Sequence, residues 1–150
     1  MIFSCDNRKN KIKEEDPMKK EYINPDNMVK PRGYSHAVSV SGNYKTIYIG
    51  GQNAIDQEGN LIGKNSLKDQ TEQVLINIEK ILDHADANIE NIIKFNIHIL
   101  AGQNPVEGFQ AFQKRWGMTK DLPAITVSFV TELGNPDWLV EIEAIAVVPE

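Results

Sequence analysis

The sequence predicts an α+β domain in which two helices cover one face of a mixed sheet. Two segments repeat apolar residues with a helical period, and several shorter segments alternate apolar and polar residues as strands do. The chain has 150 residues, of which 41% are hydrophobic and 25% charged, and these proportions are typical of one globular domain. The predicted order of elements is β-β-α-β-α-β-β.

The first two strands are predicted at residues 34–40 and 45–49. Ser41-Gly42-Asn43 lies between them, and this composition favours a hairpin turn that would pair the two strands. Asp56-Gln57-Glu58-Gly59-Asn60 is predicted to form the next turn.

The first helix is predicted over residues 66–87. Ser66 suits the N-cap because Asp69 follows three residues later, and Asn88 is a residue able to end the helix in a left-handed conformation. One apolar stripe is expected to face the sheet; its members are Thr71, Val74, Leu75, Ile78, Ile81, Leu82 and Ala85.

The second helix is predicted to begin at Asn104-Pro105, an N-cap followed by proline at the first helical position, and to end at Gly117. Its expected buried stripe consists of Val106, Phe109, Phe112 and Trp116. Strands are predicted over residues 93–99, 123–130 and 138–148, with His98 on the wetter face of its strand.

Residues 1–19 carry many charges and no hydrophobic period, and we expect a flexible arm before a single domain at 20–150. Cys5 allows two interpretations. It is either a free thiol in an extension of a cytoplasmic protein, or the lipidated residue of an envelope lipoprotein whose true start lies upstream. The second interpretation needs a basic and apolar leader that these residues lack.

Charge and composition exclude several classes of function. The net charge of −5 argues against nucleic acid as a partner, and no apolar run reaches the ~18 residues of a membrane span. One cysteine permits no internal disulfide. His36, His84 and His98 show no ligand spacing, so no metal site is predicted.

The predicted strands carry more apolar side chains than two helices can cover. An apolar surface of this kind usually marks an interface, so self-association with closed symmetry is expected, with pockets at the seams between subunits. The apolar strand residues concerned are Val38, Val40, Ile47, Ile49, Val127, Phe129, Ile142 and Ile145.

Glu141 and Glu143 interrupt the apolar last strand. Because they are two residues apart, both side chains point to the same face. Carboxylates in such a run are costly unless they are paired, hydrogen-bonded or exposed. They are therefore either part of a solvated face or a structural ion pair, or they line a pocket and position a water molecule.

Glycines mark two further places where a ligand could approach the main chain. Gly50-Gly51-Gln52 ends a strand, which permits either a ligand or tight packing against the backbone. Gly33-Tyr34 joins a turn to a tyrosine whose hydroxyl needs a partner.

The motif series resembles that of the Rid family, also called YjgF or endoribonuclease L-PSP, over nearly the whole chain after the arm. The motifs are Gly33-Tyr34-Ser35-His36-Ala37, Gly50-Gly51-Gln52, Gln70-Thr71 with Asn77, Pro123-Ala124-Ile125-Thr126, and Val140-Glu141-Ile142-Glu143-Ala144-Ile145-Ala146. The resemblance implies a chorismate-mutase-like fold, a homotrimer with three pockets between subunits, and hydrolysis of reactive enamines and imines without a cofactor.

The resemblance also implies site residues, one position at a time. Tyr34 matches the pocket tyrosine and Glu141 the glutamate that positions water, which leaves Glu143 as structural. Gly50 stands in place of a serine, Phe109 or Gln110 in place of a frequent asparagine, and Ile125 in place of the arginine that clamps the substrate carboxylate. The adjacent Gly51, Gln52 and Thr126 are expected to contact substrate, and Arg32 either reaches the site from another direction or is simply exposed.

The missing arginine decides between the functions that remain. Losing one partner of a desolvated arginine–carboxylate pair costs about 2–5 kcal/mol, so deamination of 2-imino acids is not favoured. We expect hydrolysis or tautomerisation of a small, less anionic enamine or imine. The alternative is a trimer that binds a metabolite without turning it over, and ribonuclease activity is the least favoured because of the charge.

Overall fold

A computed structural model describes residues 16–117 and 121–150. The predicted α+β class is confirmed, with one more strand than predicted and a short 3₁₀-helix before β4. The elements in chain order are β1 (Lys19–Ile23), β2 (Ala37–Ser41), β3 (Tyr44–Gln52), α1 (Leu67–His84), the 3₁₀-helix Ile89–Asn91, β4 (Ile92–Leu100), α2 (Pro105–Trp116), β5 (Ala124–Val130) and β6 (Val140–Pro149).

Four strands form the main sheet in the order β3-β6-β4-β5. The β4–β5 pair is parallel, and β6 runs antiparallel to both β3 and β4, so the sheet is mixed as predicted. The helices α1 and α2 pack against each other and bury Phe95, Ile142 and Ala144 beneath them. One face of the sheet is therefore covered by helices, and we call the other its open face.

The predicted hairpin between the first two strands is wrong. β2 pairs with β1 in a separate antiparallel ribbon, whereas β3 pairs with β6. Strand β1 was missed because Lys19, Lys20 and Glu21 give it no apolar period. The carbonyl of Asp16 accepts a hydrogen bond from the N–H of Asn43 at 2.8 Å, so the described end of the predicted arm contacts this turn.

The helix starts follow from local capping, and the ends differ in part. Ser66 accepts a hydrogen bond from the N–H of Asp69, and Asn104 accepts one from the N–H of Val106. Gly117 ends α2 with φ 64°, as predicted. In contrast, α1 ends at His84, and Asn88 instead caps the 3₁₀-helix in an extended conformation.

The predicted stripe of α2 is only half correct. Phe112 is buried and Trp116 packs against it, and both rings contact Phe95 edge to face at 5.2 and 5.3 Å. Val106 and Phe109 remain 56% and 41% exposed. Helical periodicity shows which residues share a face of the helix and not how closely other elements pack against that face.

Gln70 on α1 holds the start of β6. It is fully buried, accepts a hydrogen bond from the N–H of Leu139 at 2.8 Å and donates one to the carbonyl of Asp137 at 2.9 Å. Both ends of a buried amide are thereby satisfied. The strand that carries Glu141 is thus fixed to α1.

Candidate functional site

Glu141 lies on the open face of β6, where its carboxylate meets the end of β3. Oε2 accepts a hydrogen bond from Nδ2 of Asn53 at 3.0 Å, and Oε1 lies beside the main chain of Gly51. The carboxylate is half-buried and, among the described residues, Asn53 supplies its hydrogen bond. One oxygen is therefore anchored while the other is left to accept a further donor.

Asn53 was not identified from the sequence. The loop that carries it is fixed by Asn77 of α1, whose Nδ2 donates to the carbonyls of Asn53 at 3.0 Å and Ile55 at 2.8 Å. Gln73 in turn donates to Oδ1 of Asn77 at 3.0 Å. A chain of side-chain hydrogen bonds thus runs from α1 through this loop to Glu141.

The three residues Gly50, Gly51 and Gln52 adjoin Glu141 but are not equivalent. A Cβ atom on Gly51 would lie 2.5 Å from Oε1 of Glu141, whereas one on Gly50 would meet nothing within 4 Å. Gln52 donates to the carbonyl of Gly50 at 3.1 Å. This bond lies within the stretch from Ile49 to Gln52 where the register between β3 and β6 shifts. A side chain at Gly51 would therefore displace the Glu141 carboxylate, whereas one at Gly50 would not.

Other polar side chains share the open face. Glu143 accepts a hydrogen bond from Nδ2 of Asn96 at 3.2 Å, and Thr126 accepts one from Nζ of Lys94. His98 lies directly opposite Glu141 in the β4–β6 register and is partly exposed, as predicted. Glu141 and Glu143 point the same way, but they have different partners.

Tyr34, Arg32 and Ile125 lie together elsewhere, around a cavity of about 760 Å³ at the C-terminal end of α2. We call it the aromatic cavity. Arg32 is exposed, while Tyr34 and Ile125 are partly buried. The residues that line it are Asn24, Pro25, Asp26, Lys30, Pro31, Arg32, Gly33, Tyr34, Phe109, Phe112, Gln113, Trp116, Gly117, Leu122, Pro123 and Ile125.

The wall that carries Tyr34 is held at both ends. The N–H of Ser35 donates to the carbonyl of Pro123 at 3.0 Å, and the His36 ring bonds to the carbonyl of Val29 at 2.8 Å. Gly33 has φ 86°, and a Cβ atom there would lie 2.7 Å from the Phe109 ring. Glycine is therefore required on both conformational and steric grounds.

A second, smaller cavity of about 220 Å³ adjoins the first beneath α2. We call it the inner pocket. Gly33, Phe109, Phe112 and Ile125 line both cavities. The inner pocket is completed by Thr71, Ile97, Ile99, Pro105, Gly108, Val127 and Val140.

The candidate residues fall on two opposite faces of one sheet. Ile125 is in register with Phe95, and His98 with both Ser128 and Glu141. Side chains alternate along a strand, and Phe95 and His98 are three positions apart. Ile125 therefore points to the helix-covered face, and Glu141 to the open face, where Thr126 also lies.

Two findings concern residues 16–117 and 121–150 only. No helix within these ranges is long and apolar enough to cross a membrane, and no three metal-ligating side chains cluster there. The first 15 residues of the predicted arm lie outside the described part of the chain, and so does Cys5, for which a free thiol and a lipidated residue were the two interpretations.

Comparisons with known proteins agree with the motif series. The model of the family "Endoribonuclease L-PSP" matches residues 26–148. A RutC family protein of Pyrococcus horikoshii is 37% identical over 128 residues, covering 85% of this chain and 97% of the relative.

Solved structures give the same result. The Rid family protein YyfB of Yersinia pestis, described as of unknown function, has a TM-score of 0.75 at 32% identity and covers 86% of this chain and 98% of its own. RidA from an Antarctic Psychrobacter has a TM-score of 0.60 at 28% identity, covering 77% and 88%. The chain therefore belongs to the Rid (YjgF, endoribonuclease L-PSP) family.

Proposed function

We propose that this protein hydrolyses a small imine or enamine in pockets formed between the subunits of a homotrimer. Glu141 orients the attacking water and Tyr34 contacts the substrate. For an imine, the water oxygen adds to the carbon of the C=N bond, its protons pass to nitrogen, and the C–N bond then breaks. The products are a carbonyl compound and ammonia, and water is the only co-reactant.

The arrangement of Glu141 is the observation that carries this proposal. One of its oxygens is fixed by Asn53 at 3.0 Å, and the other faces the main chain of Gly51, where no side chain intervenes. A carboxylate held in this way accepts a proton from a water molecule in a defined direction. Glu143 also accepts one asparagine hydrogen bond, from Asn96 on the neighbouring strand β4, and the proposal leaves it a structural role.

The separation of the two faces supports assembly between chains. Tyr34 and Glu141 cannot meet one small ligand within a single chain, because the sheet lies between them. In a closed ring with a head-to-tail interface, the helix-covered side of one chain can meet the open face of the next. Exposed apolar side chains favour such contacts, among them Tyr48 at 79%, Phe129 at 54% and Val127 at 49% exposure.

Ile125 limits the substrates that we expect. It lies against the core and lines both cavities, and it has no donor for a carboxylate. The exposed Arg32 at the mouth is a weak substitute, because a solvated ion pair contributes about 0–1 kcal/mol. Small 2-imino acids should therefore be poor substrates.

The experiment compares Glu141→Gln with Glu143→Gln. Imines are generated in situ, by an amino-acid oxidase from alanine or phenylalanine and by an amine oxidase from phenethylamine, and their lifetime is followed by competition with semicarbazide. We expect Glu141→Gln to lose about 10²- to 10⁴-fold of the accelerated hydrolysis, as for removal of a general base. Glu143→Gln, on the same strand and face, should stay within about threefold of the wild type because it changes a structural hydrogen bond.

Equal activity of Glu141→Gln and the wild type would contradict the assigned mechanism. If neither imine class is consumed faster in the presence of wild-type protein, hydrolysis itself is excluded for these substrates.

A second candidate function is binding of a metabolite without turnover. The observation that favours it is Ile125, since the pocket lacks the charged clamp that the resemblance implies for deaminases. This candidate predicts ligand-dependent thermal stabilisation without release of a product. The family name also includes the word endoribonuclease, but the net charge of −5 gives no electrostatic support for RNA binding.

A further inference from the structure

We infer that the substrate carries an aromatic or branched aliphatic group that occupies the inner pocket, and that this group dominates its recognition. The inference rests on the proposed function, because it specifies the substrate class of the same site. The inner pocket decides which molecule binds, whereas Glu141 acts in the reaction of the bound molecule.

The inner pocket has the size and the apolar lining that an aromatic ring needs. Its volume is about 220 Å³, and a dry apolar cavity of about 150 Å³ is large enough to hold benzene. Within the described residues that line it, Thr71 is the one polar side chain, and its hydroxyl already donates to the carbonyl of Leu67 at 2.7 Å. The inner pocket therefore offers apolar contact and no unsatisfied hydrogen-bonding side chain.

The inner pocket lies next to the aromatic cavity and shares part of its wall. The rings of Phe109 and Phe112 and the side chain of Ile125 face both cavities. A molecule in the aromatic cavity with its polar end near Tyr34 can thus place an apolar substituent past Phe109. Phe109 is 41% exposed, and its ring lines the boundary that the two cavities share.

The charged side chains at the mouth of the aromatic cavity are of both signs. Asp26, Lys30 and Arg32 line the mouth, and all three are exposed. Their mixed signs and full solvation give little discrimination between a charged and a neutral head group. Selectivity is therefore left to the apolar walls, where each buried methylene improves binding by about three- to fourfold.

Benzamide and acetamide test the inference. Both are planar and neutral like an imine, and they differ in having a phenyl or a methyl group. Affinity is measured by melting shift and by the fluorescence of Trp116, which lines the aromatic cavity. We expect benzamide to bind at least about tenfold more tightly than acetamide.

Two tryptophan substitutions make the test specific to the inner pocket. Val127 lines the pocket and is 49% exposed, while Ile62 is 37% exposed and lines neither cavity. Val127→Trp should fill the pocket and reduce benzamide binding to the level of acetamide, whereas Ile62→Trp should leave it unchanged. Phe109→Ala joins the two cavities, so 1-naphthamide should gain affinity relative to benzamide.

Equal binding of benzamide and acetamide, or benzamide binding that Val127→Trp does not alter, would overturn the inference. Benzamide selectivity without hydrolysis of any imine would support it and contradict the proposed function. Hydrolysis with equal kcat/KM for the imines of alanine and phenylalanine would contradict the inference alone.

Discussion

The two faces of the four-stranded sheet hold their candidate residues by different means. On the open face, Glu141 is positioned by directional hydrogen bonds, from Asn53 directly and from Asn77 through the loop. On the helix-covered face, Ile125 packs against the core, and Tyr34 lies in a wall of the aromatic cavity that is held by bonds from its neighbours Ser35 and His36 to main-chain carbonyls. The open face is thus suited to orient a water molecule, and the covered face to recognise an apolar group.

This difference predicts which substitutions affect chemistry and which affect binding. Changes to the hydrogen-bonded chain should lower kcat, because they move the carboxylate that acts on water. Changes to the cavity walls should alter KM, because they remove contacts made equally in the ground state and the transition state.

The largest effect expected from the hydrogen-bonded chain is that of Asn77→Ala. It leaves the carbonyls of Asn53 and Ile55 without their side-chain donor, which should lower the free energy of unfolding by about 1–3 kcal/mol. Because the loop also carries the amide that anchors Glu141, kcat should fall while KM changes little. Urea unfolding and steady-state kinetics measure the two effects.

Gln73→Ala is the matched control on the same helix. Gln73 donates one hydrogen bond, to Oδ1 of Asn77, whereas Asn77 donates two to the loop, so removal of Gln73 should cost less than half as much stability and leave kcat near the wild-type value. If Gln73→Ala and Asn77→Ala had equal effects on kcat, the loop would not act through Asn77.

A smaller effect is expected from the adjacent glycines. Gly51→Ala places a methyl group against Oε1 of Glu141, whereas Gly50→Ala meets open space. The carboxylate is the flexible end of a side chain and can move, so Gly51→Ala should change stability by less than about 1 kcal/mol but lower kcat several-fold. Gly50→Ala should leave kcat near the wild-type value, and equal kcat values for the two variants would remove the assigned role of Gly51.

Local signals predicted the fold where the interaction partners are close in sequence. The caps Ser66 and Asn104 bond to residues two or three positions away, and the alternation along β6 fixed the direction of both glutamates. Pairing between distant segments was not predictable in this way. The turn at Gly42 favoured a hairpin, but β2 pairs with the highly charged β1, which has no recognisable pattern.

The candidate site shows the same limit. Motif resemblance indicated Tyr34, Glu141 and the replacement at Ile125, and the spacing of Gly50 and Gly51 indicated close approach to the main chain. Asn53 was missed because its partner Glu141 is 88 residues away. Phe109 was assigned to the core because helical periodicity shows which residues share a face, and not that Phe109 lines cavities between the helix and the sheet.

The central claim is that each site combines Glu141 of one chain with Tyr34 of another. Glu141→Gln and Tyr34→Ala are purified separately, mixed in equal amounts, unfolded, refolded together and assayed for imine hydrolysis. If subunits assort at random in a closed trimer, about one quarter of the seams recover both residues, and activity should return to about one quarter of the wild-type value. A refolded mixture no more active than the mean of the two variants would contradict the claim.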